Sequence, residues 1–212
     1  MTRKRLAILI SGRGSNMDAL LQAARAPDYP AEPRLVIANR PDAKGIETAK
    51  SAGVDTRVID HKAYDSREAF EAEIHKALTD ADIELVALAG FMRVLTPWLV
   101  ERWAGRLINI HPAILPSFPG LNTHQRALDA GAKLHGCTVH FVTPGVDEGP
   151  AIGQAAVEVR ANDTAETLAQ RVLAAEHILY PLCLAALARG DDAISARLLP
   201  SEDGPVLINA PL

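Results

Sequence analysis

Short apolar runs at residues 6–10, 35–38, 56–59, 85–89 and 107–110 recur through the first half of the chain, with helical-period segments between most of them. No other feature constrains the fold as much. Strands that alternate with helices pair in parallel through right-handed crossovers. A sheet built that way is covered on both faces, which explains runs that are apolar throughout instead of alternating. The first 110 residues are therefore expected to form an α/β unit with an open, mostly parallel, doubly wound sheet. Helices are expected over residues 42–52 and 65–78, the second with Asp65 as cap and Glu68 three residues on in capping-box spacing.

Beyond Ile110 the texture changes. Residues 111–122, HPAILPSFPGLN, hold three prolines and a glycine and read as a rigid loop. Helical spacing resumes over 123–132, strands are expected at 137–142 and 151–159, and the longest helical pattern covers 164–188. Its apolar positions are Leu168, Val172, Ala175, Ile178, Leu182 and Ala185, with a kink expected at Pro181 and a stop at Gly190. The tail, 201–212, reads as a last strand or a partly ordered end.

A chain of 212 residues fits one domain and can bury enough surface to fold without a metal or disulfide. The net charge of -4, with no long basic run, argues against a nucleic-acid partner but leaves room for a local anion pocket. Cys137 and Cys183 lie far apart and read as buried thiols of a reducing compartment. The apolar start, residues 6–10, is too short for a signal-peptide core, and charged residues interrupt the longer apolar stretches. A soluble, cytoplasmic protein without membrane partners is expected.

Three places invite chemistry. Ser11-Gly12-Arg13-Gly14-Ser15-Asn16 follows the first strand and opens the first helix, where free N–H groups and the helix dipole attract an anion. Met17 stands where a dinucleotide fingerprint needs its third glycine, and an ordinary βα turn capped by Ser or Asn would carry the same letters. Asn109 and His111 alternate onto one side at the carboxyl end of a buried strand, where an amide and an imidazole suit a developing oxyanion. A capping Asn and a surface His would look the same. Asp147 sits in a Gly/Pro loop with Glu148; if near His111 it would favour the imidazolium and share proton transfer, and otherwise it is a solvated turn residue. His61 and His75 read as surface and His135 as loop, and no metal-ligand cluster or covalent nucleophile stands out.

Taken together, SGRGSN at 11–16, ALAGFMRVL at 87–95 and NIHP at 109–112 resemble the folate-dependent formyltransferases. LPSFPGLNTH at 115–124, HGCTVHFV at 135–142 and DEGP at 147–150 narrow the resemblance to the phosphoribosylglycinamide formyltransferases of purine synthesis, over most of the chain. The resemblance implies a single formyltransferase domain over 1–212, with a phosphate-binding half at 1–110 and a folate-binding half at 111–212. It implies that Asn109, His111 and Asp147 are catalytic, and that 10-formyltetrahydrofolate is cosubstrate with no metal. Gly14, Ser15 and Asn16 would hold the phosphate of glycinamide ribonucleotide (GAR), and Leu173, Ala174, Ala175 and Glu176 would meet the rest of it. Arg67, Met92, Arg93, Val94, Leu95 and Asn109 would contact the folate, with Thr143, Pro144, Gly145, Val146 and Asp147. A monomer or homodimer is expected. Asn122 stands where His is common in the family, and Glu148 where a smaller residue is common. A formyl-folate hydrolase, a transferase with another acceptor and an inert small-molecule sensor remain as other readings of the same residues.

Overall fold

The computed structural model describes residues 2–191, 194–199 and 206–211. The chain divides into two compact units, Met1–Asn109 and Ile110–Leu212.

The first unit is the expected parallel α/β layer. Its strands are β1 (Lys4–Ile10), β2 (Ala31–Ala38), β3 (Asp55–Val58), β4 (Leu85–Leu88) and β5 (Leu107–His111), the last running past the unit's end. They lie in the order β3-β2-β1-β4-β5, all described pairs parallel. Residues 6–10 of β1 and all four residues of β4 are buried, as strands covered on both faces require. β2 begins four residues before its apolar run. Pro33 has no N–H to donate, and the register with β1 slips between Leu6 and Ala7 beside it. The helices are α1 (Ser15–Ala23), α2 (Gly45–Ser51), α3 (Arg67–Asp80) and α4 (Pro97–Arg102). The cap of α3 is Ser66, not Asp65: its hydroxyl accepts from the Ala69 amide at 3.0 Å. The sequence reading gave no sign of α4, six residues long with proline at its start.

The second unit contains α5 (Thr123–Asp129), β6 (Leu134–Phe141), β7 (Ala151–Glu158), α6 (Ala165–Arg189), β8 (Ile194–Leu199) and β9 (Val206–Pro211). Its described pairs are antiparallel, in the order β6-β7-β9-β8. β6 starts at Leu134, earlier than expected, so His135 is a strand residue that is 1% exposed and not part of a loop. β9 meets the expectation of a last strand; residues 201–205 and 212 lie outside the described residues. Thr164 caps α6 in a reciprocal box with Thr167, and Gly190 ends it at φ 77°. The helix continues through Pro181. Its buried stripe runs through Leu168, Val172, Ala175, Leu179, Cys183 and Ala186, whereas Ile178 and Leu182 are only half-buried. By length and composition α6 could cross a membrane, contrary to the sequence reading, but 56% of its apolar window is buried within the protein, against β6, β7 and β9. Gly153 of β7 is where that packing is tightest, since a Cβ there would stand 2.7 Å from Cys183 Sγ and 2.8 Å from Ala210 Cβ.

Candidate active site

In an open parallel sheet, ligands bind beyond the carboxyl ends of the strands where the chain reverses its direction of winding. In the first unit that place lies between the loops after β1 and β4. A cavity of about 470 Å³ opens there, lined by residues 11–16 together with Asn39, Arg40, His61 and residues of the 89–93 segment. Gly14 adopts φ 75° and ψ 35° as the residue before α1, and as glycine it has no side chain with which to cap that helix start. Arg13, Arg40 and Arg93 bring positive charge to the same space, so the cavity suits an anion. Ser11 joins its two walls: its amide donates to Gly90 O at 3.2 Å, and its hydroxyl accepts from the Met92 amide at 2.8 Å. On the far side of the loop, the Gly45 amide donates to Gly12 O at 3.0 Å.

His61, read as surface, lines this cavity. Its Nδ1 is 2.8 Å from the Asn39 carbonyl and 3.3 Å from the Asn39 side-chain amide nitrogen. Charged neighbours in the sequence hid its role, yet it lies just past the carboxyl end of β3, where a lining residue is to be looked for.

In the second unit, His111 is buried at the end of β5. Its Nδ1 lies 3.2 Å from Asp147 Oδ2, and its Nε2 lies 3.0 Å from the Phe118 carbonyl. A carboxylate and a carbonyl are both acceptors, so the surroundings fit an imidazolium donating from each nitrogen. Asp147 is held in turn by the Gly120 amide, which donates to Oδ2 at 2.9 Å. The condition set on Asp147, nearness to His111, is thus met. Asn109 is half-buried two residues earlier on β5, in register with Leu88 of β4.

Three further histidines surround the pair. Burial lowers the pKa of His140, whose Nδ1 donates to Phe141 O at 2.9 Å and whose Nε2 is 3.7 Å from Asp147 Oδ1. Burial and the charge of His111 lower that of His124. His135, pushed down to about 4 chiefly by burial, packs edge-on against His124 at 5.2 Å and Phe118 at 5.9 Å. The fold thereby keeps three of the four rings neutral and sets a carboxylate against His111. Among the described residues no group of three or more His, Cys, Asp or Glu could hold a metal ion.

The loops around the pair are built to close limits. Thr138 of β6 accepts from the Leu115 amide at 3.0 Å and donates to Ala113 O at 2.8 Å, pinning the proline-rich segment, whose Leu115–Pro116 bond is cis. Phe118, Asn122 and Asp147 all have φ 56°, a conformation costly for residues with a Cβ. Asn tolerates it best, which accounts for Asn122 at the start of α5. A Cβ at Gly149 would lie 1.7 Å from Phe141 O, so only glycine closes this turn. The Glu148 carboxylate folds back over Gly145.

Other residues implied by the resemblance are more scattered. Met92 and Arg93 line the first unit's cavity; Met92 and Val94 are 71% and 55% exposed, while Leu95 is buried. Arg67 is exposed at the start of α3 and does not line that cavity. In the 143–147 loop, Pro144 and Val146 are exposed and Thr143 and Gly145 half-buried. Leu173 and Ala174 are half-buried on α6, and Ala175 and Glu176 are buried.

Residues 4–184 match the formyl transferase family model. The chain is 44% identical over 185 residues to the phosphoribosylglycinamide formyltransferase of Escherichia coli, covering 87% of each protein. It is 49% identical to the trifunctional purine biosynthetic protein adenosine-3 of Drosophila melanogaster over 91% of its own length, but spans only 14% of that protein. The crystal structure of phosphoribosylglycinamide formyltransferase from Brucella melitensis superposes with a TM-score of 0.85 at 53% identity, covering 88% of this chain and 96% of that one. With a glycine-turn anion cavity in the first unit, a buried His–Asp pair in the second, and the Escherichia coli and Brucella melitensis enzymes matched over 87% and 96% of their lengths, the chain belongs to the formyl transferase family, among the phosphoribosylglycinamide formyltransferases.

Proposed function

We propose that this chain transfers the formyl group of 10-formyltetrahydrofolate to the amine of GAR, giving formyl-GAR and tetrahydrofolate in purine biosynthesis, as a single formyltransferase domain. The observation that carries the reading is His111 with each ring nitrogen against an oxygen acceptor, Asp147 at 3.2 Å and Phe118 O at 3.0 Å. A buried imidazolium of that kind supplies a proton to a carbonyl oxygen under attack. As the amine adds to the formyl carbon, His111 shares its Nε2 proton with the growing oxyanion and the Asn109 amide donates beside it. Asp147 balances the positive ring and accepts the proton shed by the amine, through water. The intermediate then collapses: the proton shared with the oxygen returns to His111, the bond from carbon to the folate nitrogen breaks, and that nitrogen takes up, through the same water, the proton shed by the amine, so no covalent enzyme species is needed.

The arginine-lined cavity at Gly14, Ser15 and Asn16 supports a monophosphate seat for GAR; the family resemblance alone assigns Leu173, Ala174, Ala175 and Glu176 to the rest of GAR. Met92 and Val94, exposed and apolar, support a folate contact on the first unit; the family resemblance adds Arg67, Arg93 and Leu95 there, and Thr143, Pro144, Gly145, Val146 and Asp147 on the second. We propose small-molecule substrates, no nucleic acid or membrane, a monomer or homodimer, and a cytoplasmic setting; the net charge of -4 supports the absence of a nucleic-acid partner.

The test follows the absorbance change as protein converts 10-formyltetrahydrofolate with and without GAR. Conversion that requires GAR is expected. Conversion without it would make the protein a hydrolase, and none at all would leave a binding protein or another acceptor. His111→Ala should abolish transfer and leave nucleotide affinity largely intact; an equal loss of both would remove His111 from the chemistry.

A further inference from the structure

The groups that meet His111 and Asp147 from the proline-rich loop are main-chain atoms, Phe118 O and Gly120 N. Main-chain atoms are only as well placed as the loop that carries them. Core packing does little to place this one: Pro116, Ser117, Pro119, Leu121 and Asn122 are exposed, Leu121 by 77%. Its backbone is also costly to hold, with Phe118 and Asn122 both at φ 56°. Residues in such conformations persist only where the surroundings over-determine them.

The bracing comes from α5. Arg126 Nη1 donates to Pro119 O at 2.6 Å and to Leu121 O at 3.3 Å, the two carbonyls that flank Gly120. The same guanidinium lies over the Phe118 ring, 5.7 Å from its centroid. One planar cation thus grips the loop on both sides of the amide that binds Asp147 and on the residue whose carbonyl binds His111. Both hydrogen bonds come from one nitrogen, which an ammonium could imitate, but a lysine lacks the flat face that lies over the Phe118 ring.

We infer that Arg126 is a positioning residue for the reaction, acting through the 118–121 loop to hold the His111–Asp147 pair in its working geometry. The inference rests on the function proposed above, in which that pair is the reacting centre. The contacts of Arg126 are with the loop and not with His111 or Asp147, so its signature is a loss in kcat with substrate binding preserved. A misplacement of about 1 Å at a reacting group costs up to roughly a hundredfold in rate.

The experiment compares wild type, Arg126→Ala, Arg126→Lys and His111→Ala as the full chain. It measures kcat, KM for both substrates, the melting temperature and the His111 Nε2–H signal in ¹H–¹⁵N spectra. Arg126→Ala is expected to lower kcat roughly ten- to a hundredfold with KM for GAR within about twofold, and to weaken or abolish the ring N–H signal. Arg126→Lys is expected to recover part of the rate. A kcat for Arg126→Ala within twofold of wild type overturns the inference, as does a loss of rate that is matched by loss of nucleotide affinity and a fallen melting temperature. His111→Ala separates the two levels: if it still transfers formyl, the His111–Asp147 pair is not the reacting centre and the inference falls with it; if it is inactive and Arg126→Ala is not, only the role of Arg126 fails.

Discussion

His135 ties the stability of the second unit to pH. Its ring is 1% exposed on β6, bonded to the Pro112 backbone, with Nε2 buried and without a hydrogen-bond partner. Protonation would place a second N–H where no acceptor waits, so the folded protein takes up that proton only at about pH 4, against an ordinary 6.5. Between those values the unfolded chain binds more protons than the folded one, and stability falls as pH drops through the window. At about 1.4 kcal/mol for each pH unit, the penalty is nearly absent above pH 7, reaches about 2.5 kcal/mol by pH 4.5, and levels off at about 3.4 kcal/mol well below 4. Urea unfolding at pH 7.0, 5.5 and 4.5 measures it in wild type and in His135→Gln, whose amide can still donate to Pro112. With a urea slope of about 2 kcal/mol/M, the wild-type midpoint should fall by about 1 M more than the variant's. The lowered pKa values of His124 and His140 act in the same direction in both proteins and cancel in the difference. Equal midpoint losses would show that His135 is not buried neutral, and the reasoning would be wrong.

Asp147→Asn keeps the shape of the carboxyl but not its charge beside His111; kcat is expected to fall about 10²–10⁴-fold with little change in GAR affinity, and an unchanged kcat would exclude Asp147 from proton transfer. Gly14→Ala puts a Cβ on a residue at φ 75°, 3.1 Å from Met17 Cε, at a strain of about 1–2 kcal/mol; titration with GAR should show affinity reduced by roughly five- to thirtyfold, and unaltered affinity would remove the glycine turn from phosphate binding. Glu71 is fully buried and accepts from both the amide, at 2.8 Å, and the hydroxyl of Thr96; Glu71→Ala should cost about 3–5 kcal/mol in denaturant unfolding, and a loss below about 1 kcal/mol would show that this carboxylate does not anchor α4.

The parallel half of the fold was legible because burial on both faces writes itself as uninterrupted apolar letters, as in Leu85-Val86-Ala87-Leu88. Where burial is partial the letters mislead. Two good candidates on α6, Ile178 and Leu182, lost to Leu179 and Cys183, because several phases of an apolar-rich helix satisfy the same period. Ser66 outcompeted Asp65 as a cap since only its hydroxyl reaches the Ala69 amide. At the site, His111 and Asp147 could be named from sequence, but their 3.2 Å separation follows from a turn that only Gly149 can close, a consequence of packing and not of spacing. The same holds for His135 and His61, whose partners at the Pro112 backbone and the Asn39 carbonyl are distant in sequence.

Because Phe118 and Gly120 meet the pair through main-chain atoms, the contacts are nearly silent to side-chain exchange. Every residue type carries a carbonyl, so replacing Phe118 changes ring packing and leaves the acceptor for His111 in place. At Gly120 the amide survives any substitution but proline, and φ 79° is what narrows the choice. A mutational scan across this loop would therefore report on conformation, with the contacts themselves unseen. Sequence comparison inherits the same blindness: two chains can differ at most loop positions and still offer the pair the same two partners, or agree at all of them and lose both through one exchange on the neighbouring helix.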